Sequence, residues 1–374
     1  MAIYGTKTVY DAALERIDYL FDEFENVIVT FSGGKDSTVV LQLALIVAER
    51  KNRLPLPVLF IDQEAEWDCV IDYTREIMQD PRVKPYWMQI PFRIFNATSQ
   101  DEQWLHAWEP GKAWIRDKDP IAYHENPTNS DRFHDLFPAI SNWIFKGQRY
   151  ASLGGVRCEE SPARRQGLTQ YSCYKWITWG KVESKHKEQI VFYPIYDWTY
   201  KDVWKAIHEN GWPYCKLYDY QYQYGTPVMQ MRVSNVTHET AVKSLYYLQE
   251  IEGSLWSRLT QRLKGVSAAK HLQKDWERPT VLPPMFNSWE EYRDHLLETL
   301  ITVPEHQATM RKHIDSDMQR YDEALWPKLV DMHISMILTN DYHDTKRSLF
   351  RATYGKYSKN ANARRNARNR SFSD

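Results

Sequence analysis

Six residues, Ser32-Gly33-Gly34-Lys35-Asp36-Ser37, stand between an apolar run, Val27–Phe31, and a helix-like run ending at Arg50. Two adjacent glycines allow positive φ and close backbone approach. Amides of such a turn, at the head of a helix, point at one spot and favour an anion there. Lys35 adds a full positive charge, and Ser32 and Ser37 add hydroxyl donors. Asp36 can cap the helix or help hold Mg²⁺. The set suits a pyrophosphate. It is not the G-x-x-x-x-G-K-[ST] phosphate loop, because Lys35 is followed by Asp36 and the loop is shorter. A glycine turn with capping Asp and Ser is the alternative; the whole string between a strand and a helix favours the nucleotide.

A second constellation is GGVRCEESPARR, residues 154–165. The guanidinium forks of Arg157, Arg164 and Arg165 match phosphate or sulfate oxygens two at a time. Glu159 and Glu160 can orient those arginines, or Glu160 can join Asp36 at Mg²⁺. A surface cluster of mutual salt bridges reads equally from the charges alone, and Gly154-Gly155 at a strand end tips the balance toward function. Cys158 beside Arg157 is either an activated thiolate or a buried bystander. Asp62, at the end of VLFI, is a site residue or a helix cap. Lys175, in YSCYKWITW, is an anion contact or a solvated lysine over aromatic faces.

These groups need a frame. Tyr10–Phe24 reads as an amphipathic helix, with Ala13, Ile17, Leu20, Phe21 and Phe24 on one face. Strands are expected at Val27–Phe31, Pro57–Ile61 and Tyr86–Ile90, with helices at Ser37–Arg50 and Trp67–Gln79. This alternation predicts an α/β fold with a doubly wound, mostly parallel, Rossmann-like sheet. Residues 92–148 break the rhythm and read as an insertion over the active-site edge. Strands resume at Arg149–Leu153 and Gln189–Ile195, followed by a helix over Thr199–Glu209 that stops at Asn210-Gly211. From residue 236 the pattern turns helical. The predicted domains are 1–235, a helical domain over 236–344, and a basic, mobile tail over 345–374. Thr345–Arg370 carries nine Lys/Arg and no acid.

Composition narrows the classes. Of 374 residues, 43% are hydrophobic, enough for packed cores, and the net charge of −1 gives no global pull on a polyanion. Four cysteines without a C-x-x-C pair argue against a zinc site or a disulfide scaffold. With no apolar leader in the first residues and no apolar stretch of spanning length, a cytoplasmic setting and no membrane are expected. The 15 Trp and 24 Tyr read mainly as core and interface, with some available to a pocket.

With SGGKDS in this setting, the chain resembles the N-type ATP pyrophosphatases, and among them the phosphoadenosine-phosphosulfate (PAPS) reductase family. FIDQEAEW (60–67), GGVRCEESPARR (154–165) and YPIYDWTYKDVWKAI (193–207) carry the likeness further. It covers about residues 10–225, and the helical C-terminal region resembles the IbrA-like branch. The resemblance implies an adenine nucleotide alpha-hydrolase-like fold that binds ATP or a related adenine nucleotide with Mg²⁺. Ser32–Ser37 would hold the phosphates and the backbone at Phe60, Ile61 and Asp62 would line the adenosine pocket. Lys35, Asp36, Arg157 and Arg164 would carry the chemistry, and Gly154, Gly155, Glu160 and Arg165 would complete the nucleotide site.

The implied reaction splits the α–β bond of ATP, adenylating an acceptor. The acceptor is read as nucleic acid or a small molecule, in modification, regulation or phage conflict with a ParB-like partner. A nucleotide-sensing module without catalysis and a sulfate adenylyltransferase are the competing readings. True PAPS reduction is disfavoured, because the family's Glu-Cys-Gly-Leu-His string is missing and Cys215 is the last cysteine. The basic tail is either a nonspecific nucleic-acid contact or a solubilising end.

Overall fold

The structure, a computed structural model, describes residues 6–99, 104–183, 186–238, 245–263, 265–266, 281–301, 303–338, 341 and 344–359. Among these, the residues of Met1–Ile94, His106–Asn235 and Gln249–Arg258 form one unit. Those of Phe95–Leu105, Val236–Leu248 and Leu259–Asp374 form a second.

The first unit begins with helix α1 (Val9–Glu23), capped by the Thr8 hydroxyl and burying Ala13, Ile17, Leu20 and Phe21. Strand β1 (Asn26–Thr30) and helix α2 (Lys35–Arg50) flank the glycine turn. Helix α2 is apolar on nearly every side and is buried accordingly. There follow β2 (Leu56–Ile61), α3 (Asp68–Met78), β3 (Val83–Met88), β4 (Phe92–Phe95), β5 (Trp104–Ala107), α4 (Phe133–Ile144) and β6 (Tyr150–Leu153). Then come α5 (Pro162–Thr169), β7 (Gly180–Glu183), β8 (His186–Phe192), α6 (Tyr200–Glu209) and α7 (Leu217–Gln223). The main sheet runs β3-β2-β1-β6-β8-β7, parallel except for the antiparallel β7–β8 pair at one edge. This is the expected doubly wound sheet. The chain winds outward from β1 through β2 to β3, then returns to place β6 on the other side of β1. That reversal between β1 and β6 is the switch point where open α/β sheets bind ligands.

The expected insertion is tied down rather than loose. Its Tyr123 pairs with β3, with Gln89 N–H donating to Tyr123 O (3.0 Å) and Tyr123 N–H to Trp87 O (2.7 Å). Strands β4 and β5 pair with each other.

The C-terminal region is helical, with α8 (Leu245–Ile251), α9 (Gly253–Arg262), α10 (Trp289–Leu300), α11 (Pro304–Arg320), α12 (Trp326–Leu338) and α13 (Thr345–Tyr354). In the second unit, Leu297, Ile301, Ile314, Val330 and Ile334 form a core, and Tyr321, Leu329 and Phe350 form a smaller one. The helical domain is expected from residue 236, and within it residues 249–258 belong to the first unit. The reason is a cap. No side chain of its own caps α3, and Glu252 accepts from Asp68 N–H (2.8 Å) and Cys69 N–H (2.9 Å) instead. Within the basic tail expected from 345, Thr345–Tyr354 forms helix α13, held by buried Arg347 and Phe350. Residues 360–374, the rest of that expected tail, lie outside the described residues.

Candidate active site

The glycine turn leaves β1 at the switch point. Gly33 has φ +72°, and a Cβ there would lie 2.9 Å from Val70 Cγ1, so the position demands glycine twice over. Gly34 caps α2 without a side chain. The turn is braced from inside by Ser32 and Ser37, whose hydroxyl oxygens lie 3.0 Å apart, and by Ser37 Oγ donating to Gly34 O (2.9 Å). It is braced from outside by Tyr218 on α7, whose hydroxyl accepts from Lys35 N–H at 2.9 Å. Among the described residues the amides of Gly33, Asp36 and Ser37 hold no hydrogen bond. They are the donors an anion would meet.

Lys35 is buried, its ammonium 2.9 Å from Asp36 Oδ2 and 5.5 Å from the centre of the Tyr218 ring. Asp36 Oδ1 accepts from Arg157 Nε at 2.6 Å. Arg157 is buried too, and also donates to Glu159 (2.7 Å) and to Trp198 O (3.4 Å). Asp36 thus bridges the loop after β1 to the segment after β6. Gly155 explains how the two approach so closely. A Cβ on it would lie 2.8 Å from both Asp36 C and Ser37 N. Gly155→Ala should therefore cost about 1–3 kcal/mol, the usual penalty of overpacking. Urea unfolding that matches the parent chain would refute this packing argument. Gly154 abuts the Tyr193 ring, which a Cβ would approach to 3.1 Å.

The remaining expected residues divide. Arg164 stands on α5, paired with Glu160 and half exposed. Burial lowers its basicity, Tyr193 and Asp36 oppose that, and Arg232 and Arg157 press on it as like charges. Arg165 is exposed, and its charge is felt by the Cys158 thiol. The Cys158 thiol is pushed up by burial, with Arg165 opposing, which disfavours the thiolate. Lys175 is remote from the loop. Its ammonium pairs with Glu23 (2.7 Å), at the end of α1, and holds that carboxyl down to about 2.

Asp62 is fully buried and does not cap α3. Its carboxylate accepts from Trp87 Nε1 (3.0 Å), Gln89 Nε2 (2.9 Å) and Glu64 N–H (3.0 Å), and pairs with Arg116. Its own N–H donates to Met88 O, and its C=O accepts from Trp108 Nε1. Asp62 therefore organises the loop after β2. Phe60 and Ile61 are buried in β2 beside it, in register with Trp87 and Met88.

The metal expectation does not fit these carboxylates. Both oxygens of Asp36 face cations, Lys35 and Arg157. Glu160 accepts from Arg157 N–H (2.8 Å) and pairs with Arg164. Asp36 and Glu160 are each turned to nitrogen donors, and no cluster of three or more His, Cys, Asp or Glu suited to a metal occurs among the described residues.

Three residues escaped the sequence reading. Tyr218 and Arg232 lie nearly two hundred residues from the loop, with no motif to mark them. Glu66, in FIDQEAEW, is 3% exposed, and burial, then the charge of Asp62, pushes its carboxyl up to about 8 against the pull of Arg116. A folded pKa above the ordinary 4.5 adds stability that is complete below 4.5 and lost as pH rises toward about 8. Glu66→Gln should flatten that fall and exceed the parent in thermal midpoint at about pH 8.5, where the parent carboxyl is ionised. Equal pH slopes for the two proteins would rule out a buried neutral acid.

The phosphoadenosine phosphosulfate reductase domain matches residues 26–224, and a domain of unknown function, DUF3440, matches 225–344. The uncharacterized protein YbdN of Escherichia coli K12 is 29% identical over 314 residues, 78% of this chain and 75% of YbdN. Sulfate adenylyltransferase subunit 2 of Mycobacterium tuberculosis H37Rv is 29% identical over 197 residues. That match covers 50% of this chain and only 55% of the subunit. Among solved structures, Candida glabrata FMN adenylyltransferase superposes with a TM-score of 0.37 at 13% identity, over 59% of this chain and 63% of that one. With more than half of its length matched, and with the glycine turn and arginine segment joined at the sheet's switch point, the chain belongs to the phosphoadenosine phosphosulfate reductase domain family.

Proposed function

We propose that this protein binds ATP at the switch point and cleaves its α–β bond, adenylating an acceptor and releasing pyrophosphate. The observation that carries this reading is the Asp36–Arg157 bridge, which brings Lys35 and Arg157 together beside three unengaged amides at the head of α2. In the reaction a nucleophile on the acceptor attacks the α-phosphorus, the α–β bond breaks, and its electron pair leaves with pyrophosphate. The loop amides and Lys35 meet the leaving group, where charge develops. Asp36 keeps Lys35 and Arg157 in place. Arg157 and Arg164 stand toward the phosphates from the β6 side. No step is assigned to Mg²⁺, since Asp36 and Glu160 are already held by cations.

The acceptor is a nucleic acid or a small molecule, acting with a ParB-like partner in a cytoplasmic setting. No helix among the described residues is long and apolar enough to cross a membrane. Sulfate as acceptor is the second reading, favoured by the likeness to sulfate adenylyltransferase subunit 2. The test is product analysis with α-labelled ATP, alone and with DNA, RNA or sulfate. AMP or an adenylate with pyrophosphate supports the proposal, and the stimulating additive names the acceptor class. ADP with phosphate would reject it, and ATP binding without turnover would favour a sensing module.

A further inference from the structure

We infer that Arg232 is a further phosphate-binding residue of this site and takes the pyrophosphate end of the nucleotide. This rests on the nucleotide reading above. Arg232 is exposed, yet its backbone is gripped at both ends by one buried side chain. Gln221 Nε2 donates to Arg232 O at 2.9 Å, and Arg232 N–H donates to Gln221 Oε1 at 3.1 Å. Gln221 lies three residues after Tyr218 on α7, so one helix holds both the amide of Lys35 and the stem of Arg232. The neighbouring Val233 reaches the glycine turn, where a Cβ on Gly33 would stand 4.0 Å from Val233 Cγ1.

Charge completes the argument. Lys35 and Arg157 share Asp36, Arg157 also holds Glu159, and Arg164 holds Glu160. Arg232 has no carboxylate partner among the described residues, and Arg164 feels it as a like charge. Guanidinium groups held near one another repel unless an anion lies between them, and their forks match phosphate oxygens in pairs. The clamp fixes the stem of this unmatched cation next to Val233, which reaches Gly33 of the loop proposed to hold the pyrophosphate.

The test is calorimetric titration of the full chain with pyrophosphate, AMP, sulfate and the non-cleavable α,β-methylene analogue of ATP. Arg232→Gln should weaken pyrophosphate and the analogue by about tenfold while leaving AMP unchanged, and Arg232→Lys should recover only part, having charge without the fork. Unchanged pyrophosphate affinity overturns the inference. So does an equal loss for AMP, which would mark a structural role, or a loss confined to sulfate, which would mark an acceptor residue. Because the analogue is not cleaved, a failure of the α–β chemistry leaves this result standing. A parent chain that binds none of the probes overturns the nucleotide reading and this inference together.

Discussion

Lys35→Ala is expected to lower the proposed α–β cleavage by about 10²–10³-fold, the range seen when one preorganised donor to developing charge is removed. The loop itself should survive. Its outer brace is the Lys35 amide on Tyr218, which needs no side chain. Its link to the second segment is Asp36 on Arg157, which also remains. The lost ammonium is one that Asp36 already positions at 2.9 Å in a buried setting, so little reorganisation precedes the reaction. The loss should therefore fall mainly on kcat, with a smaller change in affinity for the non-cleavable analogue. Steady-state rates of pyrophosphate release, read beside analogue binding, separate the two. A variant with parental kcat would remove Lys35 from the chemistry. Arginine is not an equivalent replacement, since its planar fork has a different shape and hydration.

What the sequence disclosed, it disclosed locally. The glycine turn between a strand and a helix needs only adjacent residues, and the alternation of short apolar runs with amphipathic ones is enough to imply a parallel sheet. The helix at Thr199–Glu209 is marked by its Asn210-Gly211 stop, and the structure adds a capping box of Thr199 and Asp202 at its start. The meeting of Ser32–Ser37 with Gly154–Arg165 follows from strand order, because both loops leave neighbouring parallel strands at the same edge.

The rest depends on partners far away in the chain. Nothing near Asp68 shows that Glu252 will cap its helix. Nothing near Lys35 shows that a tyrosine 183 residues away will accept from its amide. Acidic residues are hard to read as well, because the letter does not tell which way a carboxylate turns. Asp62 reads as a site residue or a cap, and its carboxylate oxygens go to Trp87, Gln89, Glu64 and Arg116. Asp36 and Glu160 read as metal ligands and are turned to cations. Basic residues are hard to read in the same way. The run from Thr345 looks like a charged tail, yet its Arg347 is 3% exposed.

That arginine sets the largest expected loss of stability. Asp317, 2% exposed on α11, accepts from Arg347 Nε at 2.6 Å and Nη2 at 3.0 Å, and lies 3.4 Å from His333 Nε2. Burial opposes its ionisation, but His333 and Arg347 outweigh burial and hold the carboxyl down to about 2. Asp317→Asn would leave the Arg347 charge buried with Asp344 as its remaining close carboxylate, and should cost about 3–5 kcal/mol. Asp317→Leu with Arg347→Met should cost far less than either single change, since an apolar pair leaves no stranded charge. The pH profile carries a second signature. Asp317 adds stability above its ordinary 3.8, and that stability is lost as pH falls toward about 2. His333 and His313 are pushed below their ordinary 6.5, chiefly by burial, so each adds stability above 6.5 that is lost as pH falls below it. Acid should thus weaken this helical unit in two steps, and Asp317→Asn should abolish the lower one. Urea unfolding of the full chain across this pH range reads both effects. A single variant as stable as the parent, or a lower step that persists without Asp317, would show that helix α13 is held by its apolar packing on Tyr321 and Leu329 and not by this ion pair.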